Sequence, residues 1–153
     1  MALKVRRIEN GTVLDHLPPG TAPLILDILD VDLEETTVLM AINVESSKMG
    51  RKDILKIEGK FLEEEEANRV ALIAPNATVN IIRDYSVAEK FKVKPPERVE
   101  GVVKCPNPNC ITNDEREPVE PVFIRESEDP LEYRCKYCER VIRAEQLREI
   151  LRG

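Results

Sequence analysis

The sequence predicts an α+β chain built from two unequal units. Three observations carry this: short runs of alternating apolar residues along the first 100 residues, two stretches of helical spacing set between them, and four cysteines confined to the last third. At 153 residues there is room for one ordinary domain or two small ones. Between the units lies "KFKVKPPERVEG", where Pro95 and Pro96 interrupt regular structure. The expected division is residues 1–97 and residues 98–153.

The front unit is expected to alternate strands and helices. "LKVRRIENGTVLDHL" has the composition of a strand that bends at Gly11. "TAPLILDILDV" follows as a helix, with Thr21 as N-cap, Pro23 in the first turn, and Leu24, Ile25, Ile28 and Leu29 at helical spacing. "TTVLMAINV" alternates Val38, Met40, Ile42 and Val44 as one strand face. "KDILKIEG" puts Leu55 and Ile57 on one face and Ile54, Lys56 and Glu58 on the other. "LEEEEANRVALIAP" is a helix whose acidic first turn suits the positive end of its dipole. "ATVNIIRD" and "YSVAEKFKV" add two strands. The order βαββαβ plus one strand predicts a ferredoxin-like antiparallel sheet with both helices on one face. The other face must meet solvent, a ligand or another chain.

In the rear unit, Cys105, Cys110, Cys135 and Cys138 make a C-x4-C…C-x2-C pattern. Two such pairs form tight turns around a metal, and four thiolates fill the tetrahedral shell of one structural Zn²⁺ per chain. Two disulfides or four unrelated thiols are the alternatives, and the N-terminus carries no export signal that would favour disulfides. "EPVFIRES" and "LEYRC" suggest a small β-rich, zinc-ribbon-like domain, and "RVIRAEQLREILRG" a closing amphipathic helix. That helix packs either on its own domain or on a partner.

Composition narrows the function. Net charge is −6, divided as −4 over residues 1–100 and −2 over the remainder, so neither unit is a general polyanion surface. A zinc-ribbon nucleic-acid binder is therefore disfavoured. No apolar run reaches the roughly 18 residues that span a membrane, and the expected location is the cytoplasm. His16, the only histidine, follows Asp15. Taken alone, this pair leaves open a metal ligand, a general base or an anion contact. An enzyme using His16 as base would lack an evident nucleophile or open metal position. Lys52, Lys56 and Lys90, with Lys48 and Arg51 nearby, are ordinary surface charges unless the fold gathers them. The first and last strands can meet at one edge of such a sheet, which would bring Asp15, His16, Lys56 and Lys90 together.

"GTVLDHLP", "MGRKDILKIEGKFL", "ALIAPNATVNIIRDYSV" and "CPNPNCITN…CKYCE" resemble the regulatory chain of aspartate carbamoyltransferase, in register from about residue 4 to residue 140. The resemblance implies a noncatalytic subunit that binds CTP and ATP through its front domain as allosteric effectors. It implies a zinc domain docked on the catalytic chain, and regulatory-chain homodimers, joined through their front domains, that link catalytic trimers into a dodecamer of six catalytic and six regulatory chains. By the same resemblance Asp15 and Lys56 hold the ribose, and His16 and Lys90 the triphosphate. Ile8, Tyr85 and Val87 offer backbone groups to base or phosphates, while Asn80 and Ile82 line the pocket. Lys52 and Ser46 fall at a second, metal-bridged nucleotide. The segment before the first strand is short, with Lys4 its only lysine, and the tail after "CKYCE" is more helical than the family pattern.

Overall fold

Alternation of apolar side chains builds the front sheet. The computed structural model describes residues 7–152. Lys4 and the start of the first expected strand lie outside them. In β1 (Gly11–Leu17) the core receives Thr12, Leu14 and Leu17; in β3 (Gly50–Glu58) it receives Asp53, Leu55 and Ile57. With β2 (Val38–Ser46), β4 (Thr78–Arg83) and β5 (Ser86–Lys92) these strands form one antiparallel sheet in the order β2-β3-β1-β4-β5. Helices α1 (Ala22–Ile28) and α2 (Glu64–Val70) cover one face. This is the ferredoxin-like arrangement with an added edge strand. It corrects one expectation: β1 is central, and β5 is reached only across β4.

Local chemistry explains the other departures. A Cβ on Gly11 would lie 2.2 Å from the Ile57 carbonyl oxygen, so close approach of β3 requires glycine there. Thr21 does not cap α1 with its hydroxyl, which donates to the Pro18 carbonyl at 2.6 Å. The first helical amide, that of Ala22, is accepted instead by the Asp53 carboxylate at 2.9 Å. In β2, Val38 and Met40 face the same way, opposite Ile57 and Leu55. The register then shifts between Ala41 and Val44, so Val44 lies opposite Lys52 on the other face. A single strand face through Val44 is therefore lost to a bulge. Helix α2 stops at Val70, well short of Pro75. Beyond it, Leu72 and Ile73 donate to carbonyls three residues back, at 3.1 Å each, as the chain turns inward. There is no polar face left to sustain a surface helix: Ala71, Leu72, Ile73 and Ala74 are all buried.

The rear unit is an antiparallel meander of β6 (Arg98–Glu100), β7 (Val122–Glu128), β8 (Leu131–Cys135) and β9 (Val141–Arg143), ending in helix α3 (Ala144–Arg152). Val141 and Ile142 are strand, not helix: Ile142 pairs with Tyr133 and is fully buried. Helix α3 packs on its own domain through Leu147 and Ile150.

The two units share their cores. Leu72, from the front chain segment, belongs to the rear cluster with Phe123, Tyr133 and Leu147. Leu151 packs against both clusters. The proline joint is fastened as well. The Tyr133 hydroxyl donates to the Pro96 carbonyl at 2.7 Å, and the Arg125 guanidinium to the Pro95 carbonyl at 2.5 Å. Burial pushes the Tyr133 phenol up, so it stays a neutral donor.

Candidate metal centre and anion-binding face

The cysteine cluster is assembled by two turns. In the first, the Cys110 amide donates to the Asn107 carbonyl at 3.0 Å, and a 3-10 turn over Ile111–Asn113 returns the chain. The Asn113 side-chain amide then donates to the carbonyls of Cys105 and Asn107, at 2.9 and 2.7 Å. In the second, the Cys135 and Glu139 amides donate to the carbonyls of Arg140 and Cys135, at 2.9 Å each, with Glu139 in a left-handed conformation. All four sulfurs lie within 4.8 Å of one another. Three of the residues are buried, and Cys138 is partly exposed. Burial pushes the thiols of Cys105 and Cys135 up. Burial also acts to raise Cys138. The Arg140 amide, the Asn107 side chain and the other two thiols outweigh it and bring Cys138 down to about 7. The donor set is all sulfur, largely buried, and suited to a soft or borderline ion. Asn113 and Thr112, whose hydroxyl lies 3.1 Å from the Cys110 sulfur, were not singled out from sequence. The only signal for them is their place in "CPNPNCITN".

The second constellation lies on the face of the front sheet that the helices leave open. Cross-strand partners share a face. The register places Leu39, Lys56, Val13, Asn80 and Lys90 in one row across β2, β3, β1, β4 and β5. A neighbouring row runs Glu58, Gly11, Ile82, Val87, with no side chain at Gly11. Asp15 lies opposite Thr78, and its carboxylate meets the Lys52 ammonium at 2.9 Å. It also accepts the His16 amide at 2.6 Å, and the His16 ring Nδ1 lies 3.1 Å from the Thr78 hydroxyl. Burial raises the Asp15 pKa, but Lys52 and the two contacts to His16 outweigh it, and the carboxyl titrates below its usual range. Asp15, His16, Lys52, Lys56, Asn80 and Lys90 are thus gathered on one face.

The remaining candidates sit around this group. Tyr85 and Val87 are exposed at the β4–β5 turn, where the Tyr85 amide donates to the Glu9 carbonyl at 2.9 Å. Ile8 and Ile82 are buried, yet outside both core clusters. The Ser46 hydroxyl accepts the amides of Lys48 and Met49, at 3.3 and 3.2 Å, and so serves its own turn. Thr78 and Asp53 complete the surroundings and had no separate signal in the sequence.

The model of the allosteric domain of the aspartate carbamoyltransferase regulatory chain matches residues 3–94. The model of that chain's metal-binding domain matches residues 97–148. The chain belongs to the aspartate carbamoyltransferase regulatory chain family. It is 78% identical to the regulatory chain of Methanopyrus kandleri over 152 residues, covering 99% of this chain and 97% of that one. The regulatory chain of Archaeoglobus fulgidus is 56% identical over 142 residues, with 92% and 93% covered. That of Pyrococcus abyssi is 53% identical over 147 residues, with 95% of each covered. Membership makes this a regulatory, noncatalytic chain with an allosteric and a metal-binding part. The enzyme alternative, with His16 as general base, is set aside on that ground. Among the described residues no helix is long and apolar enough to cross a membrane.

Proposed function

We propose that this chain binds CTP and ATP on the open face of the front sheet and relays their presence to the catalytic chain of aspartate carbamoyltransferase. The observation that carries this is the row joining Lys56 and Lys90 beside Asp15 and His16. Lysine ammonium groups and the single imidazole suit phosphate, while a carboxylate held ionised suits ribose hydroxyls. Ile8, Ile82, Asn80, Tyr85 and Val87 would frame the base. A second nucleotide at Lys52 and Ser46 would have to draw Lys52 away from Asp15.

Residues 98–153 would form the zinc domain and residues 1–97 the allosteric one. Zinc fits the cluster. A Zn–S bond of about 2.3 Å gives a tetrahedron with edges of about 3.8 Å. The pairs Cys105–Cys138 and Cys110–Cys135 stand 3.6 and 3.7 Å apart. One Zn²⁺ per chain would hold the two turns together, and its closed shell leaves no place for substrate. Four thiols kept for a metal suit the reducing cytoplasm. The rear domain would dock on the catalytic chain. Regulatory chains would pair through their front domains, where edge strand β2 exposes Met40 and Ile42, and so bridge catalytic trimers into a dodecamer of six catalytic and six regulatory chains.

Calorimetry on the complex assembled with its catalytic chain tests the proposal. CTP and ATP should bind, and Lys56→Ala and Lys90→Ala should each weaken both by about tenfold, since a charge-assisted contact to phosphate contributes about 1.5–3 kcal/mol. Unchanged affinity in both variants would place the nucleotide elsewhere.

A further inference from the structure

Among the described residues the front sheet holds one fully buried carboxylate, Asp53, and no ion pair includes it. A buried carboxylate without a cation is costly unless its oxygens are satisfied. Here one oxygen accepts the Ala22 amide at 2.9 Å and the other the Asn43 amide at 2.7 Å. Asp53 points to the core side of β3, across from Leu17. It therefore cannot touch a ligand on the open face.

Its position explains what it does hold. The two strands flanking β3 both break register beside Asp53, β1 between Leu14 and Leu17 and β2 between Ala41 and Val44. Each irregular stretch contains a non-glycine residue in the left-handed region, His16 with φ 60° and Asn43 with φ 58°. Such conformations persist only where surrounding contacts over-determine them. Asp53 bonds the amide of Asn43 itself. On the other side it bonds Ala22, which anchors the turn leaving the Asp15–His16 stretch. The preceding residue of β3 is Lys52, whose ammonium meets Asp15.

We propose that Asp53 is the positioning residue of the nucleotide face, its buried carboxylate holding both irregular stretches so that Asp15, paired with Lys52, and His16 meet the ribose and triphosphate of a nucleotide in one fixed arrangement. This rests on the nucleotide-binding function proposed above. It also ties edge strand β2 to the site through Asn43.

The test uses the full, metal-loaded chain, with CTP and inorganic tripolyphosphate as probes in calorimetry. Asp53→Asn keeps the shape but sets a side-chain amide against one of the two backbone amides. Affinity for both probes should fall by about tenfold, the scale of a misplaced charged contact. Ile25→Val, which weakens the same core without touching Asp53, should lower the melting temperature and leave affinity unchanged. Asp53→Asn binding like wild type, while Lys90→Ala binds weakly, overturns the proposal alone. Equal loss of affinity in Ile25→Val, at matched melting temperature, also overturns it by making the effect one of general stability. A wild-type chain that binds neither CTP nor ATP overturns the nucleotide-binding function and this proposal with it. Should Asp53→Asn not fold, the wild-type chain still decides. Saturating tripolyphosphate should shift the amide resonances of Asn43 and Ala22 together with that of His16, and unmoved Asn43 and Ala22 resonances overturn the proposal.

Discussion

Asn113 is not among the four clustered cysteines, yet it fixes the carbonyls of Cys105 and Asn107 and thereby the aim of the first cysteine turn. Partners of this kind typically tune metal affinity by about 10–100-fold. Asn113→Ala should therefore release metal to a chelator at least tenfold faster, with the other turn intact. Competition against a chromogenic chelator would measure it. Asp15 allows a second prediction at this scale. Its pKa is lowered in the folded chain by Lys52 and His16 against the opposing effect of burial. The unfolded chain therefore binds a proton more readily, and the stabilisation is fully present above the ordinary value of 3.8. It is lost as pH falls below that value and through the folded pKa. Asp15→Asn should cost roughly 1 kcal/mol near neutrality. Denaturant titrations of wild type and variant should converge in strong acid; a gap that persists there would mean the ion pair is not its source.

At the scale of elements, α3 shows what periodicity conveys and what it hides. Leu147, Ile150 and Leu151 at helical spacing were enough to reveal the helix and its buried stripe. Val141 and Ile142 fitted the same spacing, but Ile142 pairs with Tyr133 across β8, a contact made by tertiary packing and not written in local pattern. Leu147→Ala should destabilise the rear domain by about 2–5 kcal/mol, because Leu147 is fully enclosed; a thermal scan of the rear transition would show it. The bulge in β2 was hidden for a similar reason. Val38, Met40, Ile42 and Val44 alternate in sequence, while the register shift at Asn43 lies where the Asn43 amide donates to Asp53 on the neighbouring strand. Four cysteines at metal spacing identify their centre without any fold. Lys56, Asn80 and Lys90 fall in one row only once four strands, β3, β1, β4 and β5, are aligned, so spacing alone could not gather them. The expected meeting of first and last strands brought Lys56 and Lys90 together for the wrong reason, and only the family resemblance added Asn80.

For the whole molecule, stripping the metal should collapse the rear sheet first. Structural zinc in small domains is worth about 10–16 kcal/mol of apparent binding free energy. The front sheet has its own core and should keep its circular dichroism and the nucleotide affinity proposed for it. Retained rear-domain amide protection after chelation would show that protein packing alone suffices. Coupling has its own test. If the assembly switches between two states, a bisubstrate analogue that selects one should alter CTP affinity in the complex and leave the free regulatory chain unaffected. Finally, Leu72 lodges in the rear core, Leu151 touches both, and Tyr133 grips the joint. The connecting peptide is then less a hinge than a tether, raising the effective concentration of one surface for the other. Two separately made fragments, meeting at the Pro95–Pro96 seam, should behave as receptor and ligand and reassemble in the tube. The strength of that reunion would measure the contact between the units without the chain that normally enforces it.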